Sequence, residues 1–302
     1  MPEKLLIAGG TGFIGSHLAN HAIKNGFEVN ILSLHPPSEE RKVEGVQYIS
    51  VDLSDLESIK QKLPEQPIDY VVNLSGYIDH SPLLEGGRMV IDSHLIGMLN
   101  LIQVIDHKYL KRFVQIGSSD EYGNQPAPQN EDMFVNPISP YSFSKSASTQ
   151  LLQMLYRTES FPATILRLFL VYGPGQDNTR FLPQIIQGCL SDSVFAASSG
   201  EQLRDFCFVS DIVEGIFLSL KCDKVNGHVI NIGSGKAVSI KEIINYIQKK
   251  IGTGQPEFGK IPYRVDENMK LYADISKARR LLGWEAKVEL EEGIEETIEY
   301  YR

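Results

Sequence analysis

At 302 residues, with 42% hydrophobic and 22% charged side chains, the chain has the size and balance of one large globular domain or two unequal ones. Its net charge of −9 argues against non-specific nucleic-acid binding and leaves room for a local basic pocket that takes a phosphorylated small molecule. No stretch approaches the roughly 18 apolar residues of a membrane span, and only Met1 to Lys4 precede the first predicted strand, so neither a membrane segment nor a signal peptide is expected.

Cys189, Cys207 and Cys222 are widely spaced and form no C-x-x-C pair. They read as small buried hydrophobes, with no disulfide framework and no metal site, which suits a reducing cytoplasm. From the N-terminus, "KLLIAG" is a predicted strand and residues 13–26 a helix closed by Gly26. "FEVNILS" and "VQYISV" are strands, and Ser54 with Glu57 three residues on marks a capping box that opens the next helix. "DYVVNLS" is a strand, residues 87–108 a long helix, "RFVQIGS" a strand, residues 140–159 a second long helix and "ATILRLF" a strand. This alternation predicts an α/β fold, a Rossmann-like doubly wound parallel sheet with helices on both faces. After Tyr172 the rhythm breaks at Pro174, Gly175 and Pro183. The expected division is a dinucleotide-binding domain over 1–172 and a smaller substrate-binding lobe over 173–302, some segments of which return to the first domain.

The first strand runs into Gly9, Gly10, Gly12 and Gly15. A turn that brings backbone against a pyrophosphate needs residues without Cβ, and the helix behind it offers free N–H groups and a partial positive charge. The match to G-x-G-x-x-G gains weight from its place between a strand and a helix. An acid ending the second strand would bind the ribose 2′-OH of NAD; Ser33 stands there instead, with His35, Arg41 and Lys42 close in sequence. Serine tolerates a 2′-phosphate, so NADP(H) is favoured and NAD(H) stays open. Asp52 is placed either for the adenine edge or as a helix-cap acid.

"PYSFSK" sets Tyr141 and Lys145 four apart at the start of a helix, with Pro140 suited to its first turn. An ammonium beside a phenol stabilises the phenolate, so Tyr141 is expected to donate a proton to a carbonyl as hydride arrives, or to remove one from an alcohol in reverse. Ser118 and Ser119 end the preceding strand, where a hydroxyl faces the ligand crevice or, alternatively, caps backbone.

"GGTGFIG", "GSSDEYG", "PYSFSK", "LRLFLVYGPGQ", "RDFCFVSDI", "INIGSG" and "LLGW" occur in this order over essentially the whole chain. Together they resemble the extended short-chain dehydrogenases/reductases, in the nucleotide-sugar epimerase, dehydratase and reductase branch. The resemblance implies that Tyr141 is the proton donor, that Lys145 holds the nicotinamide ribose, and that Ser119 completes the triad, with Ser118, Asp120 and Glu121 as further candidates. It implies cofactor contacts at Gly9, Gly12, Phe13, Ile14, Gly15, Ser33, Asp52, Leu53, Leu74, Ser75 and Gly76. Arg204 and Arg264 would hold the diphosphate of the sugar nucleotide, and Phe181 its nucleotide. Leu170 and His94 depart from the family, which carries Asn at both places; His94 reads as a satisfied helix histidine.

"GSSDEYG" is similar to reductases acting on GDP-4-keto-6-deoxymannose. The leading expectation is therefore a 4-ketoreductase of an NDP-4-keto-6-deoxyhexose. A 4-epimerase or a 4,6-dehydratase with recycled cofactor is the alternative, the latter suggested by Asp120 and Glu121; a non-catalytic dinucleotide sensor is remote. The resemblance also implies a homodimer in which the two long helices form a four-helix bundle through Met89, Leu95, Met98, Leu99, Leu151, Leu152 and Leu155.

Overall fold

A computed structural model of the chain describes residues 2–263 and 267–302. Strands β1 (Lys4–Ala8), β2 (Glu28–Ser33), β3 (Gln47–Ser50), β4 (Tyr70–Asn73), β5 (Arg112–Ser118) and β6 (Ala163–Leu168) form one seven-stranded sheet with the Val229–Ile232 strand. Every pairing in it is parallel. From one edge the order is Val229–Ile232, β6, β5, β4, β1, β2, β3, so the winding reverses between β1 and β4. That reversal opens a crevice at the carboxyl ends of the two strands, where sheets of this kind take ligands.

Strands β1 and β4 run apolar over Leu5–Ala8 and Tyr70–Val72 because both of their faces are covered. Successive side chains alternate between two cores. Leu5 and Ile7 of β1 and Val72 of β4 pack with Leu18, Ile31 and Ile216. Leu6, Ala8 and Val71 pack with Leu32, Met98, Leu101 and Leu152 on the other face. Beyond the sheet a third cluster gathers Ile186, Phe206, Ile244 and Ile294. Among the described residues no helix is long and apolar enough to cross a membrane.

Helix α1 (Phe13–Lys24) starts at the glycine turn. Asp55 caps α2 (Leu56–Lys62), its Oδ1 accepting the Ser58 N–H at 3.1 Å. The box expected from Ser54 and Glu57 does not form, because the N–H and hydroxyl of Ser54 both donate to Asp52 Oδ1, at 2.8 and 2.7 Å. The first long helix is composite: α3 (Gly87–Ile91), a π-helical stretch Asp92–Ile96, then α4 (Gly97–Val104), four residues short of the expected end. In α5 (Pro140–Glu159) Ser139 and Ser142 cap each other reciprocally, and Pro140 occupies the first turn, where its missing N–H costs nothing. Met98 and Leu152, expected on a dimer face, are instead fully buried in the core beneath these helices. Met89, Leu99, Phe143, Met154 and Tyr156 are the large hydrophobic side chains that the same helices expose.

Candidate active site

The glycine turn packs tightly against the sheet. A Cβ on Gly15 would fall 2.5 Å from Gly10 Cα, and one on Gly10 would fall 2.7 Å from the Ile31 side chain. At Gly12 a Cβ would meet only the Gly9 carbonyl, at 3.4 Å, and would otherwise project into the open space before α1. A turn of this shape, at the positive end of a helix, has room for a pyrophosphate. The neighbouring strand ends complete a cleft that fits a dinucleotide. Ser33 is buried, its Oγ accepting the Thr11 N–H at 3.4 Å. Leu53 is buried against Gly97, and the Leu74 N–H donates to Ala8 O at 2.8 Å. The Ser75 hydroxyl donates to Asn73 Oδ1 at 2.5 Å. Phe13 meets His17 edge-on, whereas Ile14 packs into the core beneath α1. Asp52 is exposed and turned to Ser54.

Helix α5 carries Tyr141 and Lys145 to the carboxyl end of β5, both almost fully buried. Lys145 Nζ donates to Ile116 O at 2.9 Å and lies 5.9 Å from the Tyr141 ring centroid. Burial pulls the ammonium down to about 8, against which the Glu121 charge acts. The phenol is raised above its ordinary value, first by burial and then by the charge of Asp120; Ser118 and Arg180 act in the other direction. The expected lowering of Tyr141 by Lys145 is therefore not a property of the chain alone.

Ser118 acts on the Tyr141 phenol and favours its charged form, and Ser119 is buried in the turn that follows. Ser118 caps a short 3₁₀ turn, Ser119–Tyr122, its Oγ accepting the Asp120 N–H at 3.1 Å. Its hydroxyl proton is left to stabilise the phenolate. Glu121 is fully buried: Oε1 accepts the Ser118 N–H at 3.0 Å, and Oε2 accepts Arg167 Nη2 and the Thr149 hydroxyl, each at 2.9 Å. So committed, Glu121 ties β5, β6 and α5 together and is removed from acid–base work on a substrate. Asp120 remains at the opening, 3.9 Å from His80 Nε2.

Two histidines flank the phenol, with ring centroids 5.5 Å (His80) and 5.3 Å (His94) away, both edge-on. His94 comes from the π-helical turn and is not the satisfied helix residue expected. Nε2 bonds Tyr77 O at 2.8 Å, while Nδ1 is buried without a partner. Burial, then the Lys145 charge, lowers it to about 3, so it is neutral. Gly76 makes room for it: at φ +95 this residue sits where a Cβ would lie 2.1 Å from the ring. His80 carried no motif, and the irregular turn that aims His94 is invisible to a 3.6-residue period.

In the C-terminal half Phe181 opens the Phe181–Leu190 helix and packs on Phe206, ring centroids 6.1 Å apart. Arg204 pairs with Glu267 and donates to Leu203 O at 2.9 Å. Leu170 begins a short strand and is partly exposed. Arg264 lies outside the described residues.

The model of the NAD dependent epimerase/dehydratase family matches residues 5–233. The chain belongs to that family. A UDP-glucuronate 4-epimerase of Thermodesulfobacterium geofontis is 28% identical, aligned over 98% of this chain and 95% of its own. A UDP-N-acetyl-alpha-D-glucosaminuronate decarboxylase of Bacillus cytotoxicus is also 28% identical, over 100% and 98%. The crystal structure of the Bacillus cereus UDP-glucuronic acid 4-epimerase, in complex with UDP-glucuronic acid and NAD, superposes with a TM-score of 0.87 at 28% identity, covering 98% of both chains. This family member is thus an NAD-dependent nucleotide-sugar enzyme on a Rossmann-like sheet.

Proposed function

We propose that this chain interconverts hydroxyl and ketone at C4 of a nucleoside-diphosphate hexose and thereby epimerises that carbon. The observation that carries the reading is Ser118, Tyr141 and Lys145 gathered at the carboxyl end of β5, beside the glycine cradle. A bound nicotinamide would supply the two-electron chemistry, taking hydride from C4 and returning it. Tyr141, held protonated by burial, donates to the C4 oxygen in the reducing direction and accepts its proton in the other. Ser118 hydrogen-bonds the same oxygen, and Lys145 holds the ribose and shares the proton load of the phenol. Glycine turn, Ser33 and Leu74–Gly76 hold the dinucleotide; Phe181, Arg204 and Arg264 hold the sugar nucleotide.

The commitment of Glu121 to Arg167 and Thr149 weighs against dehydration. The 4-ketoreductase suggested by "GSSDEYG" uses the same three side chains and is the second reading. NAD(H) is preferred over NADP(H): of the cations near Ser33 in sequence, Arg41 is already bound to Gly175 O and Asp177. The exposed Met89, Leu99, Phe143 and Met154 support a homodimer through α3, α4 and α5. The test is incubation of the chain, carrying only its bound cofactor, with UDP-hexoses and UDP-hexuronates. Formation of the 4-epimer without net change in nicotinamide absorbance supports epimerisation; stoichiometric consumption of added NAD(P)H by a 4-keto sugar would favour the reductase instead.

A further inference from the structure

The carboxyl end of β2 is where the adenosine ribose of a dinucleotide lies, and an acid there ordinarily binds its 2′-OH and repels a 2′-phosphate. Here Ser33 ends the strand, and its Oγ is turned inward to the Thr11 N–H. The first cation of the following turn, Arg41, is partly buried rather than loose in solvent. Its Nη2 donates to Asp177 Oδ1 at 2.7 Å and to Gly175 O at 2.8 Å. Asp177 lies 136 residues further along the chain, in the loop after the Leu170–Tyr172 strand. That loop is seated on α1 itself: His17 Nε2 bonds Pro174 O at 2.9 Å. The C-terminal helix Leu290–Tyr301 closes the same corner, with Tyr301 bonded to Gln176 O and Tyr300 to Glu40 at 3.4 Å. Glu39, Glu40 and Lys42 flank Arg41 on its own turn.

We propose that Asp177, by holding Arg41, sets the preference of this cleft for NAD(H) over NADP(H). The inference rests on the reading that the cleft takes a nicotinamide dinucleotide. A 2′-phosphate brings close to two negative charges and needs a guanidinium to pair with. In this chain it would have to strip Arg41 from Asp177 and then sit beside that carboxylate and those of Glu39 and Glu40. A free 2′-OH makes neither demand. The acid that the β2 terminus lacks is thus supplied from a loop distant in sequence, and it acts through the arginine rather than on the ribose.

The test is direct titration of the purified full chain, first freed of any dinucleotide that co-purifies with it, with NADH and with NADPH, by calorimetry and by nicotinamide fluorescence, with no sugar present. The unaltered chain should bind NADH more tightly. Asp177→Asn should tighten NADPH by about tenfold or more while moving NADH by less than about threefold, since a freed guanidinium gains a charge-assisted pair. In Asp177→Asn/Arg41→Met the gain should vanish. An NADPH-to-NADH ratio unchanged by Asp177→Asn would overturn the proposal, as would a gain that persists without Arg41. Binding of neither dinucleotide to the unaltered chain would overturn it together with the reading on which it rests.

Discussion

Replacement of Lys145 by Met should make the protein more stable while disabling it. The ammonium is almost fully buried, and burial pulls its pKa from 10.5 to about 8. At neutral pH the folded chain therefore carries a charge it disfavours, at a cost on the order of 3 kcal/mol. Methionine fills a similar volume without the charge, and losing the bond to Ile116 O gives back ~1 kcal/mol. The net expectation at pH 7 is a gain of about 1–2 kcal/mol, or roughly 1.5–3 °C in Tm for a chain of 302 residues. The sign with pH follows from linkage: between the folded value near 8 and the unfolded value near 10.5, the unfolded chain binds the extra proton. Wild-type stability recovers by about 3 kcal/mol as pH rises through that window, so the advantage of the variant is lost and turns into a deficit of about 1–2 kcal/mol near pH 10.5. Urea denaturation of both proteins from pH 7 to pH 10.5 measures it. A variant less stable at pH 7, or a difference that does not change with pH, would refute the reasoning.

Three further outcomes are expected. Ser118→Ala should lower kcat by about 10²-fold, whereas Ser119→Ala should cost less than about fivefold, because Ser118 is the hydroxyl on the phenol; steady-state kinetics separate them. His94 stays neutral in the folded chain down to about pH 3, so below its unfolded value near 6.5 the unfolded state binds the extra proton and stability falls with pH. Relative to His94→Asn, wild type should lose ~2 kcal/mol between pH 6.5 and pH 5 in chemical denaturation. Gly76→Ala should cost about 2–4 kcal/mol in the same assay, through a positive φ and a methyl group driven into the His94 ring, and Gly76→Ala/His94→Ala should recover part of it.

The sheet was legible because largely apolar strands and intervening amphipathic helices have few other solutions, and the glycine turn announced its cleft by its spacing together with its place between a strand and a helix. Tyr141 and Lys145 were legible through a helical period of four placed after the strand that ends in Ser118 and Ser119. The 3₁₀ turn that Ser118 caps and Glu121 closes was not, because its capping bonds leave no periodic trace in the sequence. Nor was the role of Glu121, which depends on Arg167 and Thr149 arriving from β6 and α5. His94 needed a π-helical turn that breaks the ordinary period, and the pairing of Arg41 was not legible because its partner Asp177 lies in a distant loop.

Tyr141→Phe tests the catalytic reading most directly, assayed for 4-epimer formation from a UDP-sugar that the unaltered chain turns over, with dinucleotide binding measured on the same sample. Turnover should fall by about 10²–10⁴-fold with the dinucleotide still bound. Activity within about tenfold of the unaltered chain would contradict the assignment of the phenol as the group that exchanges a proton with the sugar.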